Sequence, residues 1–297
     1  MATNLSTVDR ITEAPSPSQP PQTVGFDRFV KPALIGFTLL YLGLILFIPA
    51  LNVFVQAFTG EGLQGFIATF SDRFFLNAVK LTALMAIVAV PLNTVFGLCA
   101  AWALARHKRF PGRALLISVI DLPFAVSPVV AGLMLVLLYG RNGWLGPWLE
   151  ANDWKVIFAV PGMVLATSFV SMPFVAREVL PVLEEIGTDQ EEAAKTLGAS
   201  EWQTFWRVTL PSIRWGLLYG VILTNARAMG EFGAVIVVSG NITGKTQTLP
   251  LYVEEAYKQY HTQSAYSAAV LLACLGVLTM IAKVILENKG AGIRRGH

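Results

Sequence analysis

The sequence predicts an all-α integral membrane protein with six transmembrane helices, on three observations. The 297 residues are 54% hydrophobic and 14% charged, with a mean hydropathy of +0.58. Soluble domains carry about 25% charged residues. Six apolar runs, at about 33–58, 76–105, 114–140, 156–176, 214–238 and 266–286, suit the roughly 20 residues that a spanning helix needs. Lys and Arg alternate in density between the connecting loops: 15 lie on the side of the N-terminus, 6 on the other, and Arg227 lies within a run. By the positive-inside bias this places both termini and the long 177–213 loop in the cytoplasm, as in a multi-pass protein of a bacterial inner membrane.

The first run is too long for the h-region of a cleavable signal peptide, about 7–15 residues. Residues 1–25 before it are rich in Ser, Thr, Pro and Gln and read as a disordered cytoplasmic segment. The remainder, 26–297, reads as one transmembrane domain. Prolines 49, 91, 123, 128, 161 and 173 interrupt four of the six runs. Each lacks a backbone donor, which a helix bundle tolerates as a bend or a break. Cys99 and Cys274 sit within apolar runs and read as small buried hydrophobes. The net charge of +3 is too weak to indicate nucleic acid as a partner; the lipid bilayer is the partner that composition indicates.

The 177–213 loop is too polar to span and too patterned for a passive linker. Thr188 with Glu191, or Asp189 with Glu192, has capping-box spacing. Acids at 189, 191 and 192 favour the positive end of the helix they start, and Gly198 stops it. Ser200 and Gln203 repeat the capping pattern and open a second helix that runs through Trp202, Phe205 and Trp206 to Pro211. Small Ala193 and Ala194 leave the first helix thin on one side, with Leu197 as an apolar anchor. Such a helix suits a partner's groove, and equally suits packing on its own bundle.

Glu192-Ala193-Ala194, Gly198 and Leu210-Pro211 resemble the EAA loop of ABC importer permeases, with Val208 in place of the usual Ile. The stretch Ala226-Arg227-Ala228-Met229-Gly230-Glu231-Phe232-Gly233-Ala234 resembles the signature of the oxyanion (sulfate, molybdate and tungstate) permeases. "DLPFAVSPVVAG" from Asp121 and "SGNITGKTQTLPLYVE" from Ser239 are most similar to the W-type branch of the sulfate/thiosulfate importers. The resemblance covers about 30–286. It implies the type I ABC importer permease (MetI-like) fold, with its core at about 76–286. It also implies a docking surface for a separate ATPase at Asp189, Glu192, Ala193, Ala194, Leu197 and Gly198. The implied partners are a T-type sister permease, two copies of the ATPase and an extracytoplasmic sulfate/thiosulfate-binding protein. ATP and Mg would be used by the ATPase, with no cofactor bound by this chain.

Arg227 and Glu231 stand four residues apart on one helical face. Arg227 lies about 20 Å from the cytoplasmic end of its run, where a lone charge costs about 2.5–3.5 kcal/mol even on lenient scales. Two readings stay open: a structural brace for Glu231, or a positive site on the path of a dianion, helped by Asn225 and Thr224. Asp121 is the other acid expected to be buried, a structural residue beside Pro123. Ser239–Thr246 approaches a phosphate-binding loop, but Ser239 stands where that pattern needs Gly. His107, His261 and His297 have no metal-ligand spacing, so neither a nucleotide-hydrolysing nor a metal site is expected in this chain. Beside the ABC sulfate permease, two alternatives remain: a molybdate or tungstate permease, and a stand-alone proton-coupled secondary anion transporter working through Asp121 or Glu231.

Overall fold

The computed structural model describes residues 27–294 except 60, 61 and 108, so the expected disorder of residues 1–25 lies outside the described residues. The described chain is α-helical, without a strand. It separates into two compact units, 1–52 and 53–297. The described part of the first unit is helical: α1 (Asp27–Leu42) passes through one π-helical turn (Gly43–Phe47) into α2 (Ile48–Thr59), whose residues from Val53 on belong to the second unit. The resulting Val30–Thr59 helix is long and apolar enough to cross a membrane. Its Leu34, Ile35, Phe37, Leu40 and Phe47 are all exposed, as a lipid-facing surface requires.

In the second unit α3 (Gly62–Thr69) leads to α4 (Arg73–Arg106), a 34-residue rod about 50 Å long. Asp72 starts it by accepting from the Phe74 and Phe75 amides. Around α4 pack α8 (Val160–Ser171), α9 (Pro173–Ile186), α12 (Leu210–Met229) and α14 (Leu249–Lys258). Between them come α5 (Arg113–Ala125), α6 (Pro128–Tyr139), α7 (Gly146–Ala151), α10 (Asp189–Thr196), α11 (Glu201–Thr204) and α13 (Gly233–Ser239). The last helix is α15 (Thr262–Arg294). Met85, Met163, Val235, Val238 and Leu251 form one buried cluster. Val175, Val179, Leu183 and Ile213 form another against Ala101 and Ala105. Small residues bring the helices close, and buried Asn93 ties α4 to α8 by donating to the Ser168 carbonyl and the Ser171 hydroxyl.

The expected spans need three corrections. The 114–140 run is not one rod: α5 and α6 meet at 116°. Ser127 is extended there and Pro128 starts a new helix, as its missing donor favours. The 214–238 run is bent by 51° between α12 and α13. The fourth run continues through Pro173 to Ile186 as a single 27-residue helix, so Arg177 is helical and the polar loop begins only near Gly187. Four straight helices qualify as spans, and six do if each bent pair counts as one.

Candidate functional site: the coupling helices and the paired helix breaks

Gly187 (φ +71°) turns the chain out of α9, and α10 follows. The expected capping box at its start does not form. Thr188 is already near-helical, and its hydroxyl donates to the Glu192 carboxylate (2.8 Å) instead of accepting from a backbone amide. Glu191 is drawn away instead. Its carboxylate takes a bidentate pair from Arg106 at the end of α4, Nε–Oε2 2.9 Å and Nη2–Oε1 2.8 Å. Thr209 adds a hydroxyl bond at 2.7 Å, and Arg106 Nη1 donates to the Leu183 carbonyl. Burial pushes the Glu191 carboxyl up. The hydrogen bonds from Arg106 and Thr209, with the charges of Arg106 and Lys195, outweigh that and leave it below its ordinary value. One carboxylate thereby joins α4, α10 and the segment leading into α12.

Gly198 holds φ +87°, a left-handed helix end that β-branched residues resist. Beyond it Ser200 and Gln203 form the expected capping box. The helix that they open does not stop at Pro211. It passes through a π-helical turn (Phe205–Thr209) straight into α12, with Pro211 in that helix's first turn. The second coupling helix and a membrane helix are therefore one rod, Glu201–Met229. Asp189, Glu192, Ala193, Leu197 and Gly198 are exposed and Ala194 is half-buried. Leu197 is 89% exposed, and Trp202, Phe205 and Trp206 form a ring cluster alongside.

At its other end the same rod stops at Met229, beside the second site. Arg227 Nη2 lies 3.0 Å from Glu231 Oε2, a close ion pair without hydrogen-bond alignment. Glu231 is 2% exposed and its Oε1 accepts from the Ala234 amide at 2.9 Å. It therefore caps α13 while holding Arg227, whose side chain is 34% exposed. The two breaks meet: Gly233 faces Pro128, and a Cβ on Gly132 would stand 2.7 Å from the Ala234 carbonyl. Thr224 is fully buried and its hydroxyl donates to its own helix at Gly220. Asn225 is half-buried and donates to the Met229 sulfur at 3.5 Å.

Asp121 departs from its expectation. Its side chain is 44% exposed, and Arg177 of α9 holds it at 2.7 Å while lying over the Phe124 ring. It links α5 to α9 instead of serving as a lone buried acid beside Pro123. The near-phosphate loop is the turn between α13 and α14, where the Thr246 hydroxyl donates to the Ser239 carbonyl at 2.6 Å. Among the described residues no group of three metal-ligating side chains occurs.

The exposed helices at one end of the Glu201–Met229 rod and the paired breaks at its other end belong to a permease of the ABC importer class, as likeness to known proteins shows. The chain belongs to the family of binding-protein-dependent transport system inner membrane components, which matches residues 93–290. It is 68% identical over 265 residues to the sulfate transport system permease protein CysW of Synechococcus elongatus, covering 89% of this chain and 92% of that one. The sulfate transport system permease protein CysT of Escherichia coli is 43% identical over 249 residues, 83% and 89% of the two chains. A crystal structure of a bacterial ABC transporter that imports the acidic polysaccharide alginate superposes with a TM-score of 0.72 at 18% identity. The match covers 90% of this chain and 96% of that one, a likeness of fold.

Proposed function

We propose that this chain is the W-type permease subunit of an ATP-driven importer of sulfate and thiosulfate. The observation that carries the reading is the likeness along nearly its whole length to named sulfate permeases. The chain would pair with a T-type sister, and an extracytoplasmic binding protein would deliver the anion. Two ATPase subunits would seat the exposed helix Asp189–Thr196 and Leu197 in their grooves. Both termini and the coupling helices would face the cytoplasm, and the chain itself would hydrolyse nothing.

Closure of the ATPases on ATP would move α10 and α11. Because Glu201–Met229 is one rod, that motion reaches the α12–α13 break directly, where Arg227 offers fixed positive charge to a dianion. Arg106 and Glu191 would make α4 follow. The break pair α5–α6 would shift with α13, since Gly132 leaves no space for sliding. Hydrolysis would return the path to the inward side.

The test is uptake of labelled sulfate in a bacterial strain lacking its own W-type permease and supplied with this chain. Restored uptake, competed by thiosulfate, is expected. Uptake of molybdate or tungstate alone would move the reading to another oxyanion. Uptake without any ATPase subunit would overturn it in favour of a secondary transporter.

A further inference from the structure

At the end of α4 opposite the coupling helices, a cavity of about 190 Å³ opens between this helix and the turn joining α13 to α14. Asn77 and Lys80 line it from α4, and Gly244, Lys245 and Gln247 from the turn. Lys80 stands about 10 Å along α4 from Arg73, inside an apolar span. A cation placed there calls for a partner. Arg106, Arg177 and Arg227 each have a carboxylate partner; among the described residues, Lys80 and Lys245 have none within 4.0 Å.

The turn that carries Lys245 is held in place. Leu249 N donates to the Thr82 hydroxyl on α4 at 2.8 Å, and Ile242 N donates to Thr246 at 3.1 Å. Gly244 adopts φ +73° and lies so near α4 that a Cβ would stand 3.2 Å from the Phe74 ring. Gln247 is 3% exposed. Its Nε2 donates to Asn241 Oδ1 (3.2 Å), and Asn241 Nδ2 donates to Glu255 (3.1 Å). This chain fixes which way the Gln247 amide faces and leaves its Oε1 without a partner. An unpaired buried acceptor is costly, and a lysine ammonium turned into the cavity would satisfy it.

We infer that the cavity between Lys80 and Lys245 is a receiving site for a small dianion, the first station on this chain after release from the binding protein. The inference rests on the proposed oxyanion transport. Two ammonium groups match a charge of −2, and the Asn77 amide adds a neutral donor. Gln247 Oε1 takes one ammonium proton and leaves the others for the anion. The site lies about 39 Å along α4 from Arg106, far from the coupling helices.

The test uses the assembled transporter in phosphatidylcholine vesicles, with and without phosphatidylglycerol. It compares wild type with Lys80→Met, Lys245→Met, the double variant and the charge-keeping Lys80→Arg. Labelled sulfate bound without binding protein is expected to fall at least tenfold in the double variant and to persist in Lys80→Arg. The half-saturating concentration for uptake rises, while maximal ATPase activity and binding-protein affinity hold. Where the wild-type complex transports, sulfate binding unchanged in the double variant overturns the site alone; a wild-type complex that moves no sulfate overturns the functional reading instead. Weakened binding-protein affinity with sulfate occupancy intact would make the lysines a docking surface. Loss seen only with phosphatidylglycerol would assign them to lipid phosphate. Either result overturns the inference.

Discussion

Arg106–Glu191 and Arg227–Glu231 are the same chemical pair at nearly the same separation, 2.8 and 3.0 Å, in opposite settings. The first spans 85 residues of sequence, is bidentate and gains a third bond from Thr209. Its two side chains are turned on each other and nearly buried, 9% and 13% exposed, so it is a clamp. The second joins neighbours four apart and is not aligned as a hydrogen bond. Glu231 is occupied with capping α13, and a third of the Arg227 side chain remains open. A charge with free surface in low-dielectric surroundings is available for chemistry; one buried against its partner is available only for structure.

The largest expected effect tests the open pair. Arg227→Met with Glu231→Gln removes both charges, while the Gln oxygen still caps the Ala234 amide. If Arg227 serves the anion, sulfate uptake falls at least a hundredfold with the complex intact. Recovery to near wild-type uptake would make this pair a brace like the other. The readout is uptake and binding-protein-stimulated ATPase activity at matched protein levels.

The clamp should respond in the opposite sense. Arg106→Ala strands Glu191 and should cost about 2–3 kcal/mol. That lies between the about 0.2–1 of exposed pairs and the 3–5 of fully buried ones. Thermal unfolding in detergent reads the loss, and copurification of the ATPase should weaken with it. The exchange Arg106→Glu with Glu191→Arg should recover part of both; a variant that lost uptake with stability and docking unchanged would move Arg106 to the anion path.

What the sequence made legible follows the same division. Arg227 and Glu231 are four residues apart, so helical periodicity alone places them together. Ser200 with Gln203, and Gly198, are local signals too, and each forms as its spacing requires. Arg106 lies 85 residues from Glu191, and Arg177 lies 56 from Asp121. No periodicity joins them, and Arg106 and Arg177 read only as cytoplasmic positive charge. The same tertiary pull defeats the Thr188 box, because Glu191 gains more from Arg106 than from a backbone amide. The α5–α6 break had a signal in Pro128, but not its angle, and no proline marks the α12–α13 break. Hydropathy measures apolar length and is blind to a 116° fold between two halves.

A smaller effect is expected where the backbone is responsible. Gly198→Val forces a β-branched residue to φ +87°, at a cost of about 1–3 kcal/mol for a strained position. A Cβ there meets nothing within 4 Å, so the strain falls on the loop and spares bundle packing. Pull-down of the ATPase should weaken while membrane insertion is normal. Unchanged copurification and uptake would remove Gly198 from the docking surface.

The smallest effect is the pH response of the clamp, and its sign follows from Glu191. Glu191 lies below its ordinary value of 4.5 in the folded protein. A carboxyl so depressed contributes stability above 4.5, and that contribution disappears as pH falls through the folded value. Glu191→Gln lacks the titration. The stability gap between wild type and Glu191→Gln should therefore be constant from pH 7 to about pH 5 and narrow only in stronger acid. Unfolding in detergent across that range measures it. A gap that instead narrowed toward alkaline pH would mean that the group responsible loses a positive charge, and the clamp would have to be assigned to a different residue.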